Sequence, residues 1–167
     1  MAILYRQHKK YRKPRKAFDA NRIALENDLV KKYGLKSKRE IWRTEALVDK
    51  IREQAKKLIT ASKEEQEKFI SRLADKGFIK ENSQIDDVLE LKVESLFERR
   101  LQTLVLKKSL AKTTKNARQL IVHKHILLNK HVVNIPSYNV DMDEEGSIEI
   151  KLKKKSEKEV KGAAENV

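Results

Sequence analysis

The sequence predicts an α+β fold: a helical first part, then a small helix-helix-strand module with a short antiparallel sheet. A basic extended N-terminal tail and a charged C-terminal tail flank them. Three observations predict this. Apolar residues recur at helical spacing between capping signals from Asp19 to about Val122. The period then changes to strand-like runs in "HILLN", "HVVNI" and "SIEIKL". Both ends are dense in charge and poor in apolar residues. The expected parts are a tail at 1–18, a helical domain at 19–97, the module at 98–152 and a second, disordered tail at 153–167.

The first tail carries Arg6, Lys9, Lys10, Arg12, Lys13, Arg15 and Lys16 and no acid. Its like charges repel and it has little apolar surface to bury, so it is expected to order only against a polyanion. Pro14 breaks any helix there. The interleaved Tyr5, Tyr11 and Phe18 either stack on bases or anchor the helices that follow.

In "DANRIALENDLVKKYG", Asp19 caps the start and Lys31 and Lys32 suit the last turn. Gly34 takes the left-handed position that ends the helix. "SKREIWRTEALVDKIREQAKKLIT" opens with Ser37 and Glu40 at capping-box spacing. Its apolar stripe is Trp42, Leu47, Val48, Ile51, Ala55, Leu58 and Ile59. Ser62 and Glu65 repeat the box before a helix that buries Phe69, Ile70 and Leu73 and stops at Gly77. "IDDVLEL" reads as a short helix. "VESLFERRLQTLVLKK" reads as one long helix, with Phe97, Leu101, Leu104 and Val105 inward and Arg100, Thr103 and Lys107 outward. Thr113 or Thr114 caps the last helix, which buries Ala117, Leu120 and Ile121. Strands follow, joined near Asn129-Lys130. Pro136 stops the second, and the polar turn "DEEG" leads to the third.

The charge balance narrows the function. Among 167 residues, 39 Lys+Arg stand against 25 Asp+Glu, so 39 − 25 = +14. Such a surplus points to a polyanion, nucleic acid first and an anionic membrane surface second. With no cysteine, disulfides and thiolate zinc sites are excluded. No apolar run approaches the ~20 residues that span a bilayer, and "MAILYRQHKKYRK" lacks a signal-peptide core, so a soluble intracellular protein is expected.

Enzyme signals are weak. The four glycines are far apart, so no glycine-rich loop cradles a phosphate. No G-x-S-x-G elbow exists, and Asp86-Asp87 reads as a solvated helix start. "DMDEEG" matches the first positions of a calcium loop, but Leu152 stands where a bidentate Glu is required. His123, His125 and His131 read as a polar edge facing phosphate or base rather than a metal site. Trp42 reads as core. No cofactor is expected. What remains is basic: Arg99, Arg100, Lys107, Lys108, Lys112, Lys115 and Arg118 come from two adjacent helices and their turn. Packing those helices by their apolar faces would gather the cations on one surface suited to phosphates of a structured RNA.

The stretch "ERRLQTLVLKKSLAKTTKNARQLIVHKHILLNKHVVNIPSY" resembles the RNA-binding module named after small-subunit ribosomal protein S-four. Upstream, "KKYGLKSKREIWR" is similar to the segment before that module in the archaeal and eukaryotic ribosomal branch. The resemblance covers most of residues 9 to 152. It implies a non-catalytic constituent of the small ribosomal subunit. That family is a primary binder of small-subunit rRNA where several RNA helices meet, and it nucleates assembly of the subunit body. It lies beside neighbouring small-subunit ribosomal proteins and messenger RNA where that strand enters, and supports decoding accuracy there. The location implied is cytoplasmic and ribosome-bound, with no homo-oligomer and no membrane. Carried over by position, the RNA-facing set is Arg99, Arg100, Lys107, Lys115, Arg118, Gln119, His123 and His125, with Arg39 and Arg43 from the helical part. Many members have glycine where this chain has Ser109, Lys124 and Lys130. Glycine accepts positive backbone angles more cheaply than lysine, and Lys124 and Lys130 add candidate phosphate contacts.

Two other classes fit less well. An RNA-modifying enzyme that borrows the module needs a catalytic domain, and the helical part carries no such motif. A DNA-binding regulator would use "TTKNARQLIVH" as a recognition helix. On the ribosomal reading, changing Arg100 and Arg118 together to Ala is expected to weaken rRNA binding without unfolding the chain.

Overall fold

A computed structural model describes residues 11, 13–80 and 83–151. Arg6, Lys9, Lys10 and Arg12 of the expected basic tail, and the expected C-terminal tail at 153–167, lie outside the described residues.

Local chemistry sets the first helices. The Asp19 carboxylate accepts the Arg22 N–H at 3.4 Å and starts α1 (Ala20–Tyr33), which Gly34 ends at φ 61°. The Ser37 hydroxyl accepts the Arg39 N–H at 3.2 Å and opens α2 (Lys38–Leu58). The buried face of α2 is Ile41, Val48, Ile51 and Ala55. This corrects the expected stripe: Trp42 is only half-buried, and Leu47 and Ile59 are 39% and 50% exposed. Leu47 is one residue, about 100°, round the helix from Val48, and Ile59 already lies past the last helical turn.

The helix α3 (Lys63–Asp75) buries Phe69, Leu73 and Ala74. Ser62 makes no side-chain cap bond, so the expected box with Glu65 does not form. The Gln66 amide instead donates to the Leu58, Ile59 and Ala61 carbonyls at 2.9, 3.3 and 3.3 Å and closes the turn from α2. Gly77, at φ 66°, ends the segment. In the short α4 (Ile85–Leu89), the Asp87 carboxylate accepts the Gln84 N–H at 2.8 Å.

The expected long helix is two: α5 (Val93–Glu98) and α6 (Leu101–Lys107). The break is tertiary in origin. Arg100 forms an antiparallel bridge with Asn139, the Leu101 N–H donates to the Tyr138 carbonyl at 2.8 Å, and the Val140 N–H donates to the Arg99 carbonyl at 3.0 Å. Helical propensity at Arg99 and Arg100 yields to these long-range bonds. The helix α7 (Thr114–Val122) starts at Thr113, whose hydroxyl accepts the Asn116 N–H at 3.1 Å.

The strands β1 (Ile126–Leu128), β2 (His131–Val132) and β3 (Ile148–Ile150) form an antiparallel sheet in the order β2-β1-β3. Leu127 faces Val132 on one side and Glu149 on the other. The expected polar turn before β3 is a short helix, α8 (Met142–Glu145). Asp141 and Glu144 cap it reciprocally, and the second strand is shorter than "HVVNI" suggested.

Among the described residues, three apolar clusters form the core. One joins α2, α3, α4 and Leu96, and a second gathers Tyr33, Leu35, Ile41 and Phe97. The third lies within the module, where Leu101, Leu104 and Val105 meet Ala117, Ile121, Ile126, Leu128, Val140 and Ile148.

All the positions flagged by the missing glycines have positive φ: 57° at Ser109, 62° at Lys124 and 65° at Lys130, with Asn129 at 49°. Two consecutive left-handed residues, Asn129 and Lys130, make the primed turn that suits a two-residue hairpin. A Cβ in this region costs about 1–2 kcal/mol, against about 0.4–1 kcal/mol of extra unfolded-chain entropy for glycine. Ser109→Gly and Lys124→Gly are therefore each expected to raise the unfolding free energy by about 0.5–1 kcal/mol in urea melts. A fall in either variant would show that these turns are not strained.

Candidate nucleic-acid interface

Burial of Ala117 and Ile121 against α6 fixes which side of α7 faces solvent. Along that side Lys115, Gln119 and His123 follow four residues apart, and all are exposed. Lys112 precedes them, exposed, in the turn between α6 and α7, and Lys124 follows, exposed, just past the helix. Lys130 stands exposed at the tip of the β1–β2 hairpin. His125 is half-buried, and its ring stacks on that of His123 at 6.5 Å between centroids. This strip offers point charges from lysine, an adaptable amide and two imidazoles, a set that suits phosphate and ribose oxygens.

The arginines of the expected surface turn inward, which is a correction. Arg100 is 5% exposed, and its Nη2 donates to Glu40 Oε2 at 2.6 Å. Arg118 is half-buried, and its Nη2 donates to Glu40 Oε1 at 3.1 Å while Nη1 reaches Gln102 Oε1 at 3.4 Å. Arg99 is buried, with Nη1 on Glu145 Oε2 at 2.5 Å and Nη2 on the Val140 carbonyl at 2.9 Å. Lys108 donates to the Glu145 carbonyl. Lys107 is exposed and pairs with Glu98 at 3.3 Å, a contact that solvent weakens. Arg99 and Arg100 thus shape the module from within. Together Arg100 and Arg118 neutralise one half-buried carboxylate, so changing both to Ala is now expected to destabilise the chain as well as weaken RNA binding.

That carboxylate is Glu40. Its Oε1 accepts the Lys36 N–H at 3.2 Å, not the Ser37 N–H that a capping box requires. Burial pushes the Glu40 carboxyl upward, but hydrogen bonds and charge from Arg100 and Arg118 outweigh it and hold it below the ordinary carboxylate range. Burial lowers the Arg100 guanidinium, with Glu40 opposing. Beside them Gln102, 1% exposed, donates from Nε2 to the carbonyls of Tyr33, Gly34 and Thr114 at 3.1, 3.1 and 2.9 Å. Glu40 and Gln102 thus tie the end of α1 and the start of α2 to α6 and α7. Sequence reasoning missed both roles. The available signal for Gln102 was a polar residue amid the inward run Leu101, Leu104 and Val105.

In the helical part, Arg39 and Arg43 are exposed as expected of them. Arg43 lies over the Tyr11 ring at 5.9 Å, and Tyr11 packs on Trp42 at 5.9 Å between centroids. Trp42 Nε1 donates at 2.9 Å to Glu26, a buried carboxylate that also pairs with Arg22 and Lys38 at 2.5 and 3.1 Å. Lys13, Arg15 and Lys16 are exposed. Among the described residues no group of three or more His, Asp or Glu is placed to hold a metal ion. No described helix is long and apolar enough to cross a membrane.

Comparison with known proteins fits this geometry. A family model described as "S4 domain" matches residues 99–145, from the break before α6 to the end of α8. The chain is 43% identical over 152 residues to "Small ribosomal subunit protein uS4" of Nanoarchaeum equitans, covering 87% of this chain and 84% of that protein. It is 45% identical over 148 residues to the protein of that name from Thermoplasma volcanium, covering 84% and 74%. Against the one from Methanothermobacter thermautotrophicus it is 42% identical over 144 residues, covering 84% of each.

Proposed function

The chain belongs to the uS4 family of small ribosomal subunit proteins, and from that premise we infer what its surface does. It is a structural constituent of the ribosome carrying an RNA-binding S4 domain, and not an enzyme. Its place is on the small subunit in the cytoplasm, with small-subunit rRNA as its partner. In the finer reading, it binds a junction of several small-subunit rRNA helices, nucleates assembly of the subunit body and supports decoding accuracy where messenger RNA enters. Neighbouring ribosomal proteins cover part of it, and it acts as a single copy.

The observation that carries this reading is the exposed strip Lys112, Lys115, Gln119, His123 and Lys124, presented by a rigid helix pair inside the matched domain. Rigid presentation suits a junction, where phosphates from different helices are fixed relative to one another. Arg39, Arg43, Lys13, Arg15 and Lys16 extend the positive surface from the helical part. The buried arginines Arg99 and Arg100 support the strip without touching RNA.

The test measures affinity for a small-subunit rRNA junction fragment and for a scrambled RNA of equal length across a salt series. The junction is expected to bind several tens-fold tighter at every salt. Coincident curves would mean that the +14 charge alone binds. The double variant Lys112→Ala with Lys115→Ala is expected to flatten the salt slope by about two contacts at unchanged stability.

A further inference from the structure

Phe18 is 96% exposed, the most exposed of the large apolar side chains among the described residues. Its backbone is not loose. Two residues upstream and one residue upstream, the Lys16 and Ala17 carbonyls accept the Arg22 guanidinium at 3.1 and 3.0 Å. The same guanidinium is fixed by Glu26 at 2.5 Å. One residue downstream, Asp19 caps α1. A buried carboxylate therefore holds, through Arg22, a turn whose aromatic side chain projects into water. Tyr11, by contrast, lies against Trp42 and serves as an anchor.

Exposing a whole phenyl ring forgoes about 2 kcal/mol of burial, and fixing its backbone costs further entropy. Both are offset if the ring is covered in the assembled state. The charges around it select the cover. Lys13, Arg15 and Lys16 are all exposed, and the nearest acid in sequence, Asp19, is turned to its own helix. An aromatic face beside a cluster of cations suits single-stranded or unpaired nucleic acid, where bases stack on the ring and phosphates meet the cations.

We propose that Phe18 is a base-stacking residue, held out by the Arg22–Glu26 pair to meet an unpaired base of small-subunit rRNA. The proposal rests on the RNA-binding reading above and adds a contact of different physical kind, one that carries no charge. Stacking is insensitive to salt, whereas each phosphate contact adds to the salt slope. Loss of the ring should therefore lower affinity at every salt by the same factor.

The experiment uses the full chain and protein-free small-subunit rRNA, with Phe18→Ala, Phe18→Leu, Phe18→Tyr and Arg15→Ala compared with the parent protein across salt. Phe18→Ala and Phe18→Leu are expected to weaken binding roughly five- to a hundred-fold with an unchanged slope, and Phe18→Tyr to retain it. Arg15→Ala should reduce the slope instead. Circular dichroism melts of the free variants should coincide, because the Phe18 side chain is almost fully exposed. Retention by Leu would overturn stacking, since an aliphatic side chain fills an apolar pocket but has no π-face. Unchanged binding by Phe18→Ala would also overturn it; a defect that then appears only in reconstituted subunits would assign the ring to a protein neighbour. If the parent protein itself fails to prefer the rRNA over scrambled RNA, the broader reading fails, which is a separate outcome.

Discussion

Arg100→Ala is expected to lower the unfolding free energy by about 3–5 kcal/mol, because it leaves a half-buried carboxylate short of its shortest partner. Glu40 retains Arg118 at 3.1 Å, but that guanidinium is more exposed and is shared with Gln102. Arg100 also stacks over the Phe97 ring at 5.4 Å, so truncation removes packing along with charge. Urea unfolding followed by circular dichroism gives the number. The companion Glu40→Gln removes the charge while keeping the shape. The double variant should cost less than the two singles combined, with a coupling of about 1–3 kcal/mol. A single-variant effect within ~0.5 kcal/mol of wild type would mean that the pair is replaceable by water. Because the effect is on folding, RNA binding by Arg100→Ala must be measured under conditions where the chain is folded.

Gly34→Ala is the second large effect, about 2–4 kcal/mol of destabilisation from two sources that add. The residue ends α1 at φ 61°, where a Cβ strains the backbone. That Cβ would also stand 2.7 Å from the Thr114 side chain and 2.9 Å from Gln102 Nε2. Neither neighbour can retreat: Thr114 is in the first turn of α7, and Gln102 holds three carbonyls. Gly146→Ala is the control. Its φ is −60° and nothing lies within 4 Å of an added Cβ, so it should be neutral or stabilising by up to about 1 kcal/mol. Thermal melts of the two variants side by side test this. Equal melting temperatures would remove the close approach of α1 and α7 from the account.

The features legible in the sequence were those written locally. Asp19, Ser37 and Thr113 cap helices because a short acceptor side chain reaches the next free N–H, and Gly34 and Gly77 end segments because they tolerate positive φ. The change of period after Val122 located the hairpin, and the residues standing for glycine marked real left-handed turns. What escaped the sequence depended on distant partners. Arg99 and Arg100 look like helix interior until Tyr138 to Val140 pair with them. Glu40 looks like a capping residue, yet its guanidinium partners come 60 and 78 residues later. The same blindness placed three inward arginines on the expected RNA surface. Lys115 and Gln119 on α7, and His123 at its end, are exposed as the apolar face of that helix dictates, whereas Lys108 and His125, which lie off α7, are half-buried.

The Gln102 amide has a consequence for how the chain is made. Synthesis delivers α1 and α2 first, so the Tyr33 and Gly34 carbonyls and the Glu40 carboxylate emerge before Gln102, Arg100 and Arg118, their long-range donors. Until residues 100 to 118 leave the exit tunnel, those carbonyls and the Glu40 carboxylate lack the side-chain donors that meet them in the finished fold. The second half arrives carrying the matching donors. In the finished fold the chain's late segment is the clasp for its early one, so the seam between them closes only after residues 100 to 118 have been made.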